Sequence, residues 1–279
     1  MKLYKKGDQV YIEHQDVFYA SQMDWDALVN RPHLYQYLLK HLLDCNRIDS
    51  IDAQGEWDPP IGTQELWAAG VTYLRSKEAR EKESAQSGGG SFYDKVYDAK
   101  RPELFFKSLP HRVAGNQSVV HIRRDSSWDV PEPELTLFVS SAGTIEGYTV
   151  GNDMSSRSIE GENPLYLAQA KVYDRSAALG PCLLVAENPL DAQSLIQLKI
   201  FRDEKLIFSG ETSLSKMKRS LQELADFLLL ETTFSKGVML MTGTGIVPPD
   251  AFTLQVNDRV EITIDRIGTL INHVQKINR

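Results

Sequence analysis

Pro131-Glu132-Pro133-Glu134-Leu135, followed by Gly151-Asn152-Asp153 and then by Lys171-Val172-Tyr173-Asp174, is the stretch around which the chain is organised. On an extended segment, side chains alternate with period two, so Glu132 and Glu134 project from one face and reach one ion together. Pro131 and Pro133 carry no N–H, which predicts an edge strand or the first residues of a strand, where a ligand can approach. Asp153 ends the apolar run Tyr148-Thr149-Val150, so a neighbouring strand would deliver a third oxygen ligand. Oxygen donors without His or Cys favour Mg²⁺ over Zn²⁺, with Mn²⁺ or Ca²⁺ as alternatives. Taken alone, the glutamate pair is also what a solvated surface presents. Lys171 beside a bound cation would have its ammonium form disfavoured and could act as a base, whereas the plain alternative is an ion pair with Asp174.

Outward from this centre, the chain reads as short strands. Lys2 to Glu13 alternates around a Gly7-Asp8 turn, and a helical pattern runs from Asp24 through Leu42, interrupted at Pro32. Trp57-Asp58-Pro59-Pro60-Ile61-Gly62 is turn-rich, which places a boundary near residue 60 between a small N-terminal α/β domain (1–60) and a large domain (61–279). In the large domain, strands are expected at Leu66–Tyr73, within Arg101–Lys107, at Val119–Ile122, Leu135–Ser140, Gly147–Gly151, Leu183–Val185 and Val238–Met241. Hairpins are expected around Asp203-Glu204 and Asp265-Arg266. One amphipathic helix is expected through Leu214, Met217, Leu221, Leu224, Phe227 and Leu228. Short helices are expected at Ser76–Glu83 and Phe92–Ala99, with Gly88–Gly90 between them as a lid or a plain connector. Thr242-Gly243-Thr244-Gly245 forms a glycine-rich turn whose N–H groups could hold a carboxylate.

With 42% hydrophobic and 25% charged residues, the composition suits a soluble globular protein with a sizeable core. A net charge of -7 leaves no basic face for nucleic acid, so an anionic ligand needs a local attractor. Met1 to Val10 lacks the apolar region of a secretory signal, and no apolar run approaches the roughly 20 residues of a membrane span. Two widely spaced cysteines, Cys45 and Cys182, imply no disulfide framework and point to a reducing cytoplasm.

Taken together in order, Gly70-Val71-Thr72-Tyr73, Pro102 to Lys107, Pro131 to Leu135, Gly147 to Arg157 and Gln169 to Pro181 resemble the fumarylacetoacetate hydrolase superfamily, from about residue 66 to the C-terminus. The resemblance implies an α+β fold with a mixed β-roll, Mg²⁺ on Glu132, Glu134 and Asp153, Lys171 close to the metal, and chelation of a 2-oxo acid. It also implies a homodimer or homotetramer. Hydrolases of the superfamily usually carry G-x-N-Y-x-x-H-x-x-E, whose histidine activates water; here Thr72, Ser76 and Ala79 stand at the Asn, His and Glu positions. Arg101 to Lys107 and Thr242 to Pro249 are instead similar to a branch that dehydrates 2-oxo-3-deoxy sugar acids, such as 2-dehydro-3-deoxy-D-arabinonate, to 2,5-dioxopentanoate. In that branch's pattern Lys171 takes a proton from C3, Glu103 protonates the leaving hydroxyl, and Arg75, Ser76, Lys107 and Thr244 contact substrate. The other readings are a carbon–carbon bond hydrolase of acylpyruvate or fumarylacetoacetate type, with Glu81 or Glu83 replacing the missing pair, and a 2-oxo acid binder without turnover.

Overall fold

A computed structural model of the chain describes residues 1–76 and 96–277. The short helix expected at Ser76–Glu83 beyond Ser76 itself, the Gly88–Gly90 segment, Ala79 and the start of the Phe92–Ala99 helix lie outside the described residues. In chain order the strands are β1 (Lys2–Lys6), β2 (Gln9–His14), β3 (Val17–Ser21), β4 (Asn46–Ile48), β5 (Glu65–Gly70), β6 (Glu103–Ser108), β7 (Val113–Ala114) and β8 (Ser118–Ile122). They continue with β9 (Asp129–Val139), β10 (Ile145–Ser156), β11 (Ala177–Leu184), β12 (Leu195–Arg202), β13 (Lys205–Ser213), β14 (Val238–Met241), β15 (Arg259–Ile264) and β16 (Gly268–Lys276). The helices are α1 (Trp25–Val29), α2 (Leu34–His41), α3 (Arg157–Glu162), α4 (Leu167–Lys171) and α5 (Leu221–Leu229).

Among the described residues the strands form two sheets, one ordered β4-β3-β2-β1-β11-β10-β9-β14-β5-β6 with β7 beside β11, the other β13-β12-β15-β16-β8. Strand β9 sits between two cores because both its faces are apolar. Leu135, Leu137 and Val139 point one way and pack with Ile196, Leu198, Ile262 and Val274 of the smaller sheet. Phe138 points the other way and packs with Leu28, Leu34 and Leu38 of α1 and α2. Each such buried side chain contributes about 1.5–3 kcal/mol. Glu132, Glu134 and Thr136 share the face of Phe138 and carry it beyond the N-terminal helices, so the same alternation that builds the core also lays out the acidic row.

The N-terminal elements match their sequence signals. Gly7 takes φ 56 in the β1–β2 turn, and Asp24 caps α1 by accepting from Ala27 N at 3.0 Å. Helix α2 begins after Pro32, and Glu146 of β10 accepts from the N–H groups of His33 and Leu34 at 3.1 and 2.8 Å. Strand β1 also pairs with β11, Lys2 with Leu184 and Leu3 with Leu183, so the first residues of the chain extend the large sheet.

The Pro131–Glu134 segment lies near the start of β9 and is open on one side, as expected: β9 pairs with β10 along its whole length, while β14 covers only Thr136–Val139 on the other side. The N–H of Met154, opposite Pro131, bonds Ser176 just before β11, so the ring nitrogens of Pro131 and Pro133 face away from β10, toward the side that has no strand partner. Two expectations need correction. The helix expected from Leu214 to Leu228 is broken. Leu214–Lys216 is a 3₁₀ turn, Met217 is extended and bridges to Tyr73, and α5 starts afresh at Ser220, which accepts from Glu223 N at 3.1 Å. The strand expected to continue to Tyr73 ends at Gly70, because Val71 takes φ 53.

Candidate functional site

Register decides the centre. Asp153 lies opposite Glu132 and Gly151 opposite Glu134 across β9 and β10, so the three carboxylates share one face. Each offers an oxygen within 4.8 Å of the others, and all three are buried.

Lys171, at the C-terminal end of α4, donates to Glu132 Oε2 at 2.7 Å, Asp153 Oδ2 at 3.1 Å and Ser155 Oγ at 2.5 Å. Its partners are therefore the acidic row, while Asp174 pairs with Arg112 Nε at 3.4 Å. Lys107 reaches Asp153 Oδ1 at 2.6 Å and donates to the carbonyls of Met154 and Lys171. Since Lys107 comes from β6, the far edge of the large sheet, that contact records how the sheet curls until its edge returns to β10. Two of its three donors go to those carbonyls, and its charge pairs with Asp153. Arg157 Nη2 donates to Glu132 Oε1 at 2.7 Å. Arg157 and Ser155 were not singled out from sequence; Ser155 sits two residues beyond Asp153 on the same strand face, the one signal that could have found it.

Cations are unevenly shared. Asp153 has two lysines, and although burial pushes its carboxyl up, Lys107 and Lys171 pull it below the usual range. Burial lowers the Lys107 ammonium, with Asp153 opposing and Lys171 adding to the effect. Among the described residues Glu134 accepts only from the Gly243 N–H, at 2.6 Å; burial first, then Asp153 and Glu132, push its carboxyl well above the usual range. The glycine-rich turn thus holds a carboxylate, one belonging to the protein, and Gly243 at φ +90 presents its N–H to it. A hard divalent cation on these all-oxygen donors would supply the positive charge that Glu134 lacks, so the residues present fit Mg²⁺.

A cavity of about 540 Å³ is lined by Tyr73, Arg75, Thr212, Lys216 and Gly245 among others, and by none of the three carboxylates. Tyr73, buried with its hydroxyl unpartnered, lies close enough to Glu134 that the carboxylate adds to burial in raising its pKa. Ser76 is buried and donates to Tyr73 O at 2.7 Å, Thr72 donates to Thr242 O at 2.7 Å, and Thr244 Oγ1 bonds Ile246 in its own turn at 3.2 Å. Glu103 opens β6 on the same side as Phe105 and Lys107, and its Oε2 is buried without a hydrogen-bond partner. Phe105 stands between them, its ring 5.9 Å from Lys171 Nζ. Another cavity, of about 550 Å³ beside Arg112, Arg123 and Tyr173, holds none of the predicted site residues except the loop following Lys171.

A curled mixed sheet that carries an E-x-E pair, a cross-strand aspartate and two bracing lysines defines a protein with a buried acidic metal centre. Residues 67–275 match the fumarylacetoacetate (FAA) hydrolase C-terminal family, and the chain belongs to it. It is 46% identical over 84% of its length to a probable 2-keto-3-deoxyxylonate dehydratase of Haloferax volcanii, covering 80% of that protein. It is 41% identical over 87% of its length to the 2-dehydro-3-deoxy-D-arabinonate dehydratase of Saccharolobus solfataricus, covering 79% of it. Among solved structures, a 2-keto-3-deoxy-D-arabinonate dehydratase complexed with magnesium and 2,5-dioxopentanoate superposes over the full length of both chains with a TM-score of 0.86 at 34% identity.

Proposed function

We propose that the chain is a Mg²⁺-dependent hydro-lyase that removes water from a 2-oxo-3-deoxy sugar acid, such as 2-dehydro-3-deoxy-D-arabinonate, to give 2,5-dioxopentanoate. The observation that carries this reading is the buried Glu132, Glu134 and Asp153 set with Lys171 bonded across two of its members. Relatives 46% and 41% identical bear dehydratase names, and the related structure with bound product supports the same chemistry.

When bound, Mg²⁺ supplies the positive charge that favours negative charge building on the 2-oxo oxygen and carboxylate of the substrate. Lys171 takes a proton from C3. Glu103 gives one to the hydroxyl that leaves C4, and water departs. Loss of one hydrogen from C5 and one from its hydroxyl, matched by gain of one each at C3 and C4, then turns the C5 carbinol into the aldehyde, with no net redox change. Arg75, which lines the cavity, binds the acid, and Ser76 and Thr244, whose hydroxyls bond Tyr73 and Ile246, shape its seat. Lys107, paired with Asp153 and bonded to two carbonyls, serves the substrate through Asp153. Hydrolysis is disfavoured because Ser76, at the position of the water-activating histidine, spends its hydroxyl on Tyr73 O, and Ala79 stands at the position of the glutamate.

The same proposal takes residues 1–60 as a small α/β domain and residues 61–279 as the catalytic β-roll domain, with the boundary in the segment between β4, which ends at Ile48, and β5, which starts at Glu65. It includes assembly as a homodimer or homotetramer, and a cytoplasmic setting, supported by free Cys45 and Cys182. Among the described residues no helix is long and apolar enough to cross a membrane. The test is a substrate panel with Mg²⁺: the D and L isomers of the 2-oxo-3-deoxy pentonate and a 2,4-dioxo acid. Release of dioxopentanoate from a pentonate is expected; loss of the 2,4-dioxo absorbance without dioxopentanoate would replace dehydration by carbon–carbon hydrolysis.

A further inference from the structure

Gly70 ends β5 and lies directly opposite Glu103 in the antiparallel pairing with β6. Side chains of such a pair stand on one face with Cβ atoms about 4.5–5.5 Å apart. Here the space above Gly70 is taken by the glutamate: a Cβ added to Gly70 would lie 1.9 Å from Glu103 Oε2, 2.7 Å from its Cδ and 3.3 Å from its Cγ. The carboxyl group therefore lies across the Gly70 α-carbon, and Oε2, though buried, has no hydrogen-bond partner there.

The backbone does not account for this glycine. Gly70 is not among the residues with positive φ, whereas the next residue, Val71, takes φ 53. That left-handed conformation is costly for a β-branched side chain and is where a glycine would relieve strain. The glycine stands one position earlier, where what matters is room for the carboxyl group of Glu103.

We propose that Gly70 is a positioning residue for Glu103. By lacking a side chain, it lets the carboxyl group lie back along β5 with Oε2 free for the departing hydroxyl. This rests on the role given to Glu103 above. A methyl group at 1.9 Å cannot coexist with the present position of Oε2, and ordinary contact begins near 3.4 Å, so Gly70→Ala forces the oxygen to move by more than 1 Å. The colliding atom is the free end of a flexible side chain, so the chain still folds, but misplacement of a reacting group by about 1 Å costs on the order of 100-fold in rate.

The experiment is a double-mutant cycle of Gly70→Ala and Glu103→Gln, with kcat, KM, Mg²⁺ affinity and Tm measured for each, and a crystal structure of Gly70→Ala. The expected result is a kcat reduced about 10- to 100-fold in Gly70→Ala with KM, Mg²⁺ affinity and Tm little changed, and no further loss when the change is added to Glu103→Gln. Gly70→Ala with wild-type kcat, or losses that multiply in the double variant, would overturn the proposal. If Glu103→Gln keeps wild-type turnover, the role of Glu103 itself is refuted, and a defect in Gly70→Ala would then assign Gly70 some other effect. The crystal structure reads the positioning without reference to activity: a displaced carboxyl group supports it, an unmoved one with a shifted strand refutes it. If Gly70→Ala fails to fold, Gly70→Ala/Glu103→Ala decides, since rescue locates the clash at Glu103 and continued failure rules it out.

Discussion

Glu134→Gln should move stability and metal binding in opposite directions. Glu134 is 1% exposed, its one hydrogen bond among the described residues is to Gly243 N, and it offers an oxygen within 4.8 Å of those of Glu132 and Asp153. Two unit charges at that distance repel by about 3.5 kcal/mol at an effective dielectric constant near 20. Lys171 and Lys107 offset part of this, which leaves a net relief on the order of 1–3 kcal/mol when the charge is removed and the Gly243 bond is kept by the amide oxygen. In a chain of this size, that corresponds to a rise in Tm of about 2–8 °C for the metal-free protein. With Mg²⁺ the sign reverses. A ligand present at about 100 times its Kd stabilises the wild type by about 2.7 kcal/mol, and the variant, short of one anionic ligand, loses most of that increment. Thermal unfolding of chelator-treated protein, with and without Mg²⁺, measures both. A lower metal-free Tm together with an unchanged Mg²⁺ increment would refute the assignment of Glu134 as a strained metal ligand.

Three further outcomes are expected. Glu132→Gln should weaken Mg²⁺ binding in a direct metal titration, because it removes an anionic ligand while Arg157 and Lys171 remain in place; unchanged affinity would count against the assignment. Lys171→Arg keeps a cation against Glu132 and Asp153 but provides no usable base, so kcat should fall by at least about 100-fold with Mg²⁺ affinity largely kept; wild-type turnover would remove Lys171 from proton transfer. Asp129, whose carboxyl is pushed up to about 6 by burial, with Ser126, Arg123 and Lys276 opposing, should destabilise the fold as pH rises. Its folded pKa lies above the unfolded value near 3.9, so its stabilising effect is complete below about pH 4 and is lost as pH passes 6. Asp129→Asn should therefore stabilise the fold above pH 6, by about 1–2 kcal/mol after allowance for partial solvent screening, read as a higher Tm, and make little difference near pH 4; a gain confined to acid pH would contradict this.

What the sequence made legible followed from periodicity and turn chemistry. The β12–β13 hairpin turns at Asp203 and Glu204 (φ 48 and 60), and the β15–β16 hairpin turns at Asp265-Arg266, as expected. Glu132, Glu134 and Asp153 could be placed together because alternation within β9 and one neighbouring strand suffice to join them. The prolines were informative too, since a missing N–H marks the side of a strand that lacks a partner, and β14 is too short to reach Pro131 or Pro133. The helix pattern from Leu214 continued across Met217 because apolar spacing does not reveal that Met217 bridges to Tyr73, far away in sequence. Lys107 bracing Asp153, Arg157 on Glu132 and the room above Gly70 all arise from the curl of the large sheet and its cross-strand register. Neither property is written in any local window of sequence.

The most direct measurement follows 2-dehydro-3-deoxy-D-arabinonate by NMR with metal-stripped protein, before and after addition of Mg²⁺. The expected result is no change before the metal and, after it, loss of the C4 carbinol signal with appearance of the C5 aldehyde of 2,5-dioxopentanoate, abolished in Lys171→Arg. Unchanged substrate with Mg²⁺ demonstrably bound, for this isomer and its L counterpart alike, would contradict the dehydratase reading.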